Sequence, residues 1–197
     1  MSYPHHNGNR MTAAFGYSLS GLRWNANDLT YSFMPDGTLI WSQASNLQAS
    51  LANLPTWKNE VRRALACWAA VTPLTFNEVS DDGSPIGSSG PVHGNPKFGD
   101  IRIGGITLAG NNLANTYYPY STTTRGGDMT VNTRYQFKIG ANYDLFSVVL
   151  HESGHALGLG HSAVSGAVMW RYITGVYTGL TADDIAGIQA IYGTKAN

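Results

Sequence analysis

VVLHESGHALGLGHS, residues 148–162, places His151 and His155 four positions apart with Glu152 beside the first of them. A helix turns about 100° per residue, so positions four apart differ by about 40° and lie one turn apart. Their imidazoles can converge on one ion. Zinc takes nitrogen, sulfur or oxygen ligands in a tetrahedron, and a catalytic zinc keeps one position for water. His161 offers a third ligand, but on a continued helix it would sit roughly 240° round from His155 and point away. The helix must break between them. Gly158, three residues after His155, is where a left-handed residue can end the helix and turn the chain back. Glu152 lies about 100° round from His151, too far to bind the same ion readily. Its carboxylate can instead take a proton from a water on that ion, which then attacks a carbonyl, and pass the proton to the leaving amine. Five fixed positions over eleven residues match by chance on the order of once per million starting points. That rarity sets aside a metal-free histidine helix, and Glu152 argues against a closed structural zinc site, which has no use for a base.

Outward from this motif, Asp144–Leu157 reads as a helix with Asp144 as N-cap. Thr181 and Asp184 form a capping box before IAGIQAIY, a C-terminal helix ended by Gly193. Upstream, Thr56 opens a helix with Trp57, Val61, Ala64, Leu65 and Trp68 on one apolar stripe, and Pro73 stops it. Cys67, the single cysteine, falls inside that helix and reads as a buried, inert thiol. LTYSFM (29–34), LTFNEV (74–79), DIRIGGI (100–106), LANTYY (113–118) and GGDMTVNT (126–133) read as strands between Gly/Asn turns. Residues 35–55 read as a long connection. Residues 80–99 read as a flexible surface loop in which His93 is exposed. Residues 1–15, which carry His5 and His6, read as a flexible N-terminal tail, leaving 16–197 as one domain. The order of strands and helices is that of an α+β layer arrangement.

The 197 residues are 43% hydrophobic and only 12% charged, and the formal net charge is zero. No basic patch stands out, which excludes nucleic acid as a partner and argues against anionic membranes. One cysteine excludes an internal disulfide framework. No apolar run approaches the roughly 20 residues that span a bilayer, and MSYPHHNGNR has no apolar signal core. The chain is then either cytoplasmic or a processed piece of a secreted precursor, and a neutral, Gly/Ser/Thr/Asn-rich surface favours the second.

The extended motif together with Met169, eight residues after His161, resembles the metzincin clan of zinc peptidases, named for three histidines and a methionine turn beneath the metal. The short gap and Ser162 directly after His161 are similar to the matrixin (matrix-metalloprotease-like) branch. WKNEVRRALACWAAVTPLTFNEV, GDIRI, LANTYYP, GGDMTVN and LTADDIAGIQAIYG carry the resemblance over roughly 22–193. It implies a twisted, mostly parallel five-stranded sheet with three helices, and a secreted, monomeric zinc metalloendopeptidase acting on proteins or peptides. A substrate strand would add to the edge strand at Leu113 and Ala114. Trp170, Arg171 and Tyr172, where the family carries Tyr-Pro, would wall the pocket for the side chain after the scissile bond, and the alternative role for Tyr172 is to stabilise the oxyanion.

The chain also departs from the family. Asn115 and Thr130 stand where the resemblance places ligands of a second, structural zinc, so only one zinc is expected. The resemblance implies a calcium site at Asp100 and Asp128, completed by the carbonyls of Thr124 and Gly126, a hard-oxygen set suited to Ca²⁺. The family's inhibitory propeptide cysteine is absent, and Cys67 is in the wrong place to be it. The reading from a different class is a catalytically silent zinc module that grips peptides.

Overall fold

The computed structural model describes residues 15–196. The expected tail, with His5 and His6, therefore lies outside the described residues apart from Phe15. Five strands form one sheet in the order β4-β1-β5-β7-β6. They are β1 (Asp28–Phe33), β4 (Thr75–Glu78), β5 (Ile101–Ile106), β6 (Ala114–Thr116) and β7 (Met129–Asn132). The first four neighbours in that order run parallel, and β6 pairs antiparallel with β7 at the edge. The mostly parallel five-stranded sheet read from the sequence is the one observed.

Period-two alternation decides which faces are buried. Leu29, Tyr31 and Phe33 of β1 and Ile101 and Ile103 of β5 join the main core beneath the helices. All six residues of β5 are buried, as expected of a central parallel strand covered on both faces. Helix α2 (Trp57–Val71) buries the predicted stripe of Trp57, Val61, Ala64, Leu65 and Trp68 against the sheet and α3. Helix α3 (Leu145–Ala156) is buried at every position. It lies between α2 and the edge strand, and Trp68 donates its indole N–H to Leu150 O at 3.2 Å. Helix α4 (Ala182–Tyr192) closes the C-terminal side on α2. Asp144 caps α3 by accepting from Ser147 N at 2.9 Å, and the Thr181/Asp184 capping box is complete. Thr56 precedes α2 without a side-chain cap. Cys67 is half-buried rather than buried, and desolvation pushes its thiol up, which keeps it unreactive.

Two connections are more ordered than the sequence suggests. Residues 35–55 contain a hairpin, β2 (Leu39–Ile40) with β3 (Gln43–Ala44), and a single helical turn, α1 (Leu47–Ser50). Ile40 packs with Met34, Ile106 and Leu108 in a small second core on the far side of the sheet. The segment 80–99 is not a loose surface loop, because the same far face carries Arg102. Its fully buried guanidinium donates to both carboxylate oxygens of Asp81, at 2.8 and 2.7 Å, and to Ser84 O, and it stacks over Phe98. A charge buried on β5 requires a partner, and the 80–99 segment folds back to supply it. His93 is tied down as well, with Nδ1 2.8 Å from Asp100 Oδ2. Among the described residues, no helix is long and apolar enough to cross a membrane.

Removing one partner of a dry ion pair strands the other charge. Asp81→Ala is therefore expected to lower unfolding stability by about 3–5 kcal/mol, read as a fall in the urea midpoint, while a surface control such as Asp82→Ala shifts it little.

Candidate active site

The sequence of α3 sets His151, Glu152 and His155 on the last turns of the helix, and its exit brings His161 back to them. The exit is a Schellman turn. Gly158 N donates to His155 O at 3.0 Å and Leu159 N to Gly154 O at 2.9 Å. Gly158 has φ +109°, and a Cβ there would collide with the carbonyl oxygen of Leu22. Only glycine meets both conditions. The remaining end carbonyls are also satisfied, Ala156 O by the Trp24 indole and Leu157 O by the Tyr192 hydroxyl.

The three imidazoles meet after this reversal. His155 Nε2 lies 3.1 Å from His151 Nε2 and 3.2 Å from His161 Nε2. The His151–His155 approach is not a hydrogen bond between rings. His151 Nδ1 donates to Val168 O at 2.6 Å and His155 Nδ1 to Leu159 O at 2.7 Å, so both Nε2 atoms present lone pairs to one point. Nitrogens around a tetrahedral ion with metal–nitrogen bonds near 2.0–2.1 Å are separated by roughly 3.3 Å. Among the described residues, these three form the one group of His, Cys, Asp or Glu gathered closely enough to share a metal ion. Burial, the leading cause, holds all three rings below their ordinary pKa, and His151 falls to about 4. They are therefore in the unprotonated form that binds metal.

Met169 supports this assembly. It is buried, and its sulfur lies where a side chain at Gly154 would be. Asp184 fixes the turn from below, accepting from Val168 N at 2.9 Å and Met169 N at 3.0 Å while completing the cap of α4. Val168 is also the residue whose carbonyl orients His151, so one carboxylate positions both the methionine turn and a ligand.

Glu152 is buried beside the ligands, and desolvation raises its pKa. Its Oε2 accepts from the Thr116 hydroxyl. A cleft of about 540 Å³ contains Glu152 and the three histidines, with residues 111–116 on one side and Arg171, Tyr172 and Ile173 on the other. Tyr118 meets His155 edge to face, with centroids 5.8 Å apart. A smaller pocket of about 290 Å³ adjoins the cleft, sharing Leu113 and Ile173 and reaching Val148 and Tyr143.

The family model for matrixins matches residues 23–193. The chain belongs to the matrixin family. It is 34% identical over 189 residues to stromelysin-3 of Xenopus laevis, covering 90% of this chain and 34% of that protein. It is 35% identical over 185 residues to the hatching enzyme of Paracentrotus lividus, covering 90% and 27%. Karilysin of Tannerella forsythia is 29% identical over 198 residues, covering 93% and 36%. The chain thus spans about a third of the length of the curated relatives it matches.

Several matrixin-like expectations shift in detail. Leu113 does not offer its carbonyl at the edge, because Asn132 N takes it at 2.8 Å. Alternation along β6 then leaves the outward backbone groups to Ala114 and Thr116, with Asn115 turned toward Thr130 of β7. Leu113 instead lines the cleft. Trp170 is not part of the cleft lining and packs against Tyr172, whereas Arg171 and Ile173 make the wall with Tyr172. The Asp100 carboxylate is already occupied by Thr30 N, Gly94 N and His93. Asp128 is different: Oδ1 accepts from Arg102 N, and Oδ2 is sealed from solvent without a partner. Thr116, Tyr118 and Ile173 are cleft residues that the sequence does not single out. Only contacts across the chain mark them, though the alternation of LANTYY would have set Thr116 and Tyr118 on the face of buried Ala114.

Between pH 6.5 and about 4 the unfolded chain protonates His151 while the folded chain does not. The unfolded state then binds more protons, so the metal-free protein should lose stability as pH falls through that window. A thermal-shift series from pH 7 to 4, run with chelator present, should show a falling midpoint that the His151→Phe variant shows less steeply.

Proposed function

We propose that this chain is a zinc-dependent metalloendopeptidase that hydrolyses internal peptide bonds of proteins. The observation that carries the reading is three Nε2 atoms gathered within reach of one ion beside Glu152, in a cleft bordered by an unpaired strand edge. His151, His155 and His161 would hold the ion. Zinc so held supplies Lewis acidity, polarising a carbonyl and making a water acidic near neutral pH.

The chain's own groups do the rest. Ala114 and Thr116 pair their outward backbone groups with an extended peptide, laying it antiparallel to β6 and across the ligands. The smaller pocket past Leu113 receives the side chain after the scissile bond, and its Val148 and Ile173 walls favour an apolar one. Glu152 Oε1 accepts no hydrogen bond and is not sealed from the cleft, so it is the oxygen free to take a proton from water and return it to the leaving amine. Burial, which raises the carboxyl, brings it closer to the basicity such a shuttle needs. Tyr172, 61% exposed at the rim, acts as a wall.

Calcium is the second ion this reading includes, centred on Asp128. Its unpartnered Oδ2 is a buried hard oxygen awaiting a cation, and the carbonyls of Thr124 and Gly126 lie close in sequence to complete a shell. Extracellular action on protein substrates, as a monomer, accords with the sparsely charged composition.

Glu152→Ala is expected to keep one zinc per chain and to lose at least 100-fold in kcat/KM on an unstructured protein such as casein. Chelator should abolish wild-type cleavage, and added zinc should restore it. A zinc-loaded wild type that cleaves no faster than Glu152→Ala on several substrates would instead mark a silent peptide-binding module.

A further inference from the structure

We infer that Thr116 is a positioning residue for Glu152, and that through it the docking of a substrate strand and the orientation of the catalytic carboxylate are coupled. The inference rests on the peptidase reading above.

Thr116 is the last residue of β6, the open edge of the sheet. Strand alternation sends its side chain to the same face as buried Ala114, toward α3. There its hydroxyl donates to Oε2 of Glu152 in a short bond. No other hydrogen bond to the Glu152 carboxylate exists among the described residues. Oε1 is left without a partner yet in contact with the cleft. A buried carboxylate on a flexible three-torsion side chain would otherwise sample several rotamers, and each one that turns both oxygens from the ligands is unproductive. A single charge-assisted bond at Oε2 selects the rotamer in which Oε1 stays free.

The same residue faces outward with its backbone. Tyr117 N bonds inward to Asp128 O, and Leu113 O bonds inward to Asn132 N. Alternation between them leaves the N–H and C=O of Thr116 on the unpaired edge. A peptide adding to that edge hydrogen-bonds the backbone of the residue whose hydroxyl holds the base. An alanine or valine at 116 would offer the same strand edge without that hold on the carboxylate.

The test is steady-state kinetics on an internally quenched peptide, with zinc content measured for every variant. Thr116→Val keeps the branched shape and removes only the hydroxyl. It should bind one zinc, keep KM within about two-fold and lose roughly ten-fold in kcat. Thr116→Ser, which restores the hydroxyl, should stay within about three-fold of wild type. Glu152→Asp withdraws the carboxylate by one methylene, out of reach of Thr116, so Thr116→Val should cost little more in that background. Equal losses from Thr116→Val in both backgrounds, or a serine variant no better than valine, would overturn the inference and leave Thr116 a strand residue only. Unchanged kcat in Thr116→Val would overturn it too. A zinc-loaded wild type that cleaves nothing would instead remove the peptidase reading, and this inference with it.

Discussion

Three imidazole Nε2 atoms are held together, His155 3.1 Å from His151 and 3.2 Å from His161, and the lone pairs of the first two face each other and repel. Such an arrangement persists only where the fold over-determines it, and much of the structure around α3 does so. Val168 O and Leu159 O fix two rings through their Nδ1–H groups. Asp184 fixes Val168, and Gly158 supplies the reversal that brings Leu159 and His161 into place. Each element is second in line behind the ligands, and orienting partners of this kind decide ligand tautomer and geometry. The cost of gathering the lone pairs is what a divalent ion would relieve, so the unfavourable term in the fold is also the source of metal affinity.

The same helix serves two further layers. Its buried length lies between α2 and the edge strand, so Glu152 emerges where β6 is open and where a peptide can add. With the proposed base and docking edge on adjoining elements, no mobile part is needed to bring them together. The far face of the sheet is built on another principle. There Arg102 and Asp81 form a dry ion pair, and Asp128 keeps a buried oxygen unpartnered.

The sequence carried the gathering of the three histidines, the helix break and the five strands, because each follows from local geometry, while the parallel order of the sheet came with the family resemblance. The 3.6-residue period places His151 and His155 together, and glycine at 158 marks the reversal. Apolar runs between turn signals mark β1 and β5. What it did not carry depends on pairing between distant residues. Asp81 lies in a segment that reads as a surface loop until β5 is seen to bury Arg102 opposite it. Asp100 and Asp128 look alike in sequence, yet one is satisfied by three protein donors and the other is not. Leu113 and Thr116 differ at the strand edge only through which of them β7 occupies, and the wall residue proved to be Ile173 rather than Trp170 because the turn after Met169 carries Trp170 away from the cleft.

The fold alone assembles a three-nitrogen site with one position left open on the reading proposed above. X-ray absorption on the zinc-loaded protein tests it most directly. The expected spectrum shows one zinc per chain with three imidazole nitrogens at about 2.0–2.1 Å and a single further light-atom ligand that an added hydroxamate displaces. A sulfur ligand from Cys67, a fourth protein ligand closing the shell, or no stoichiometric zinc at all would contradict it.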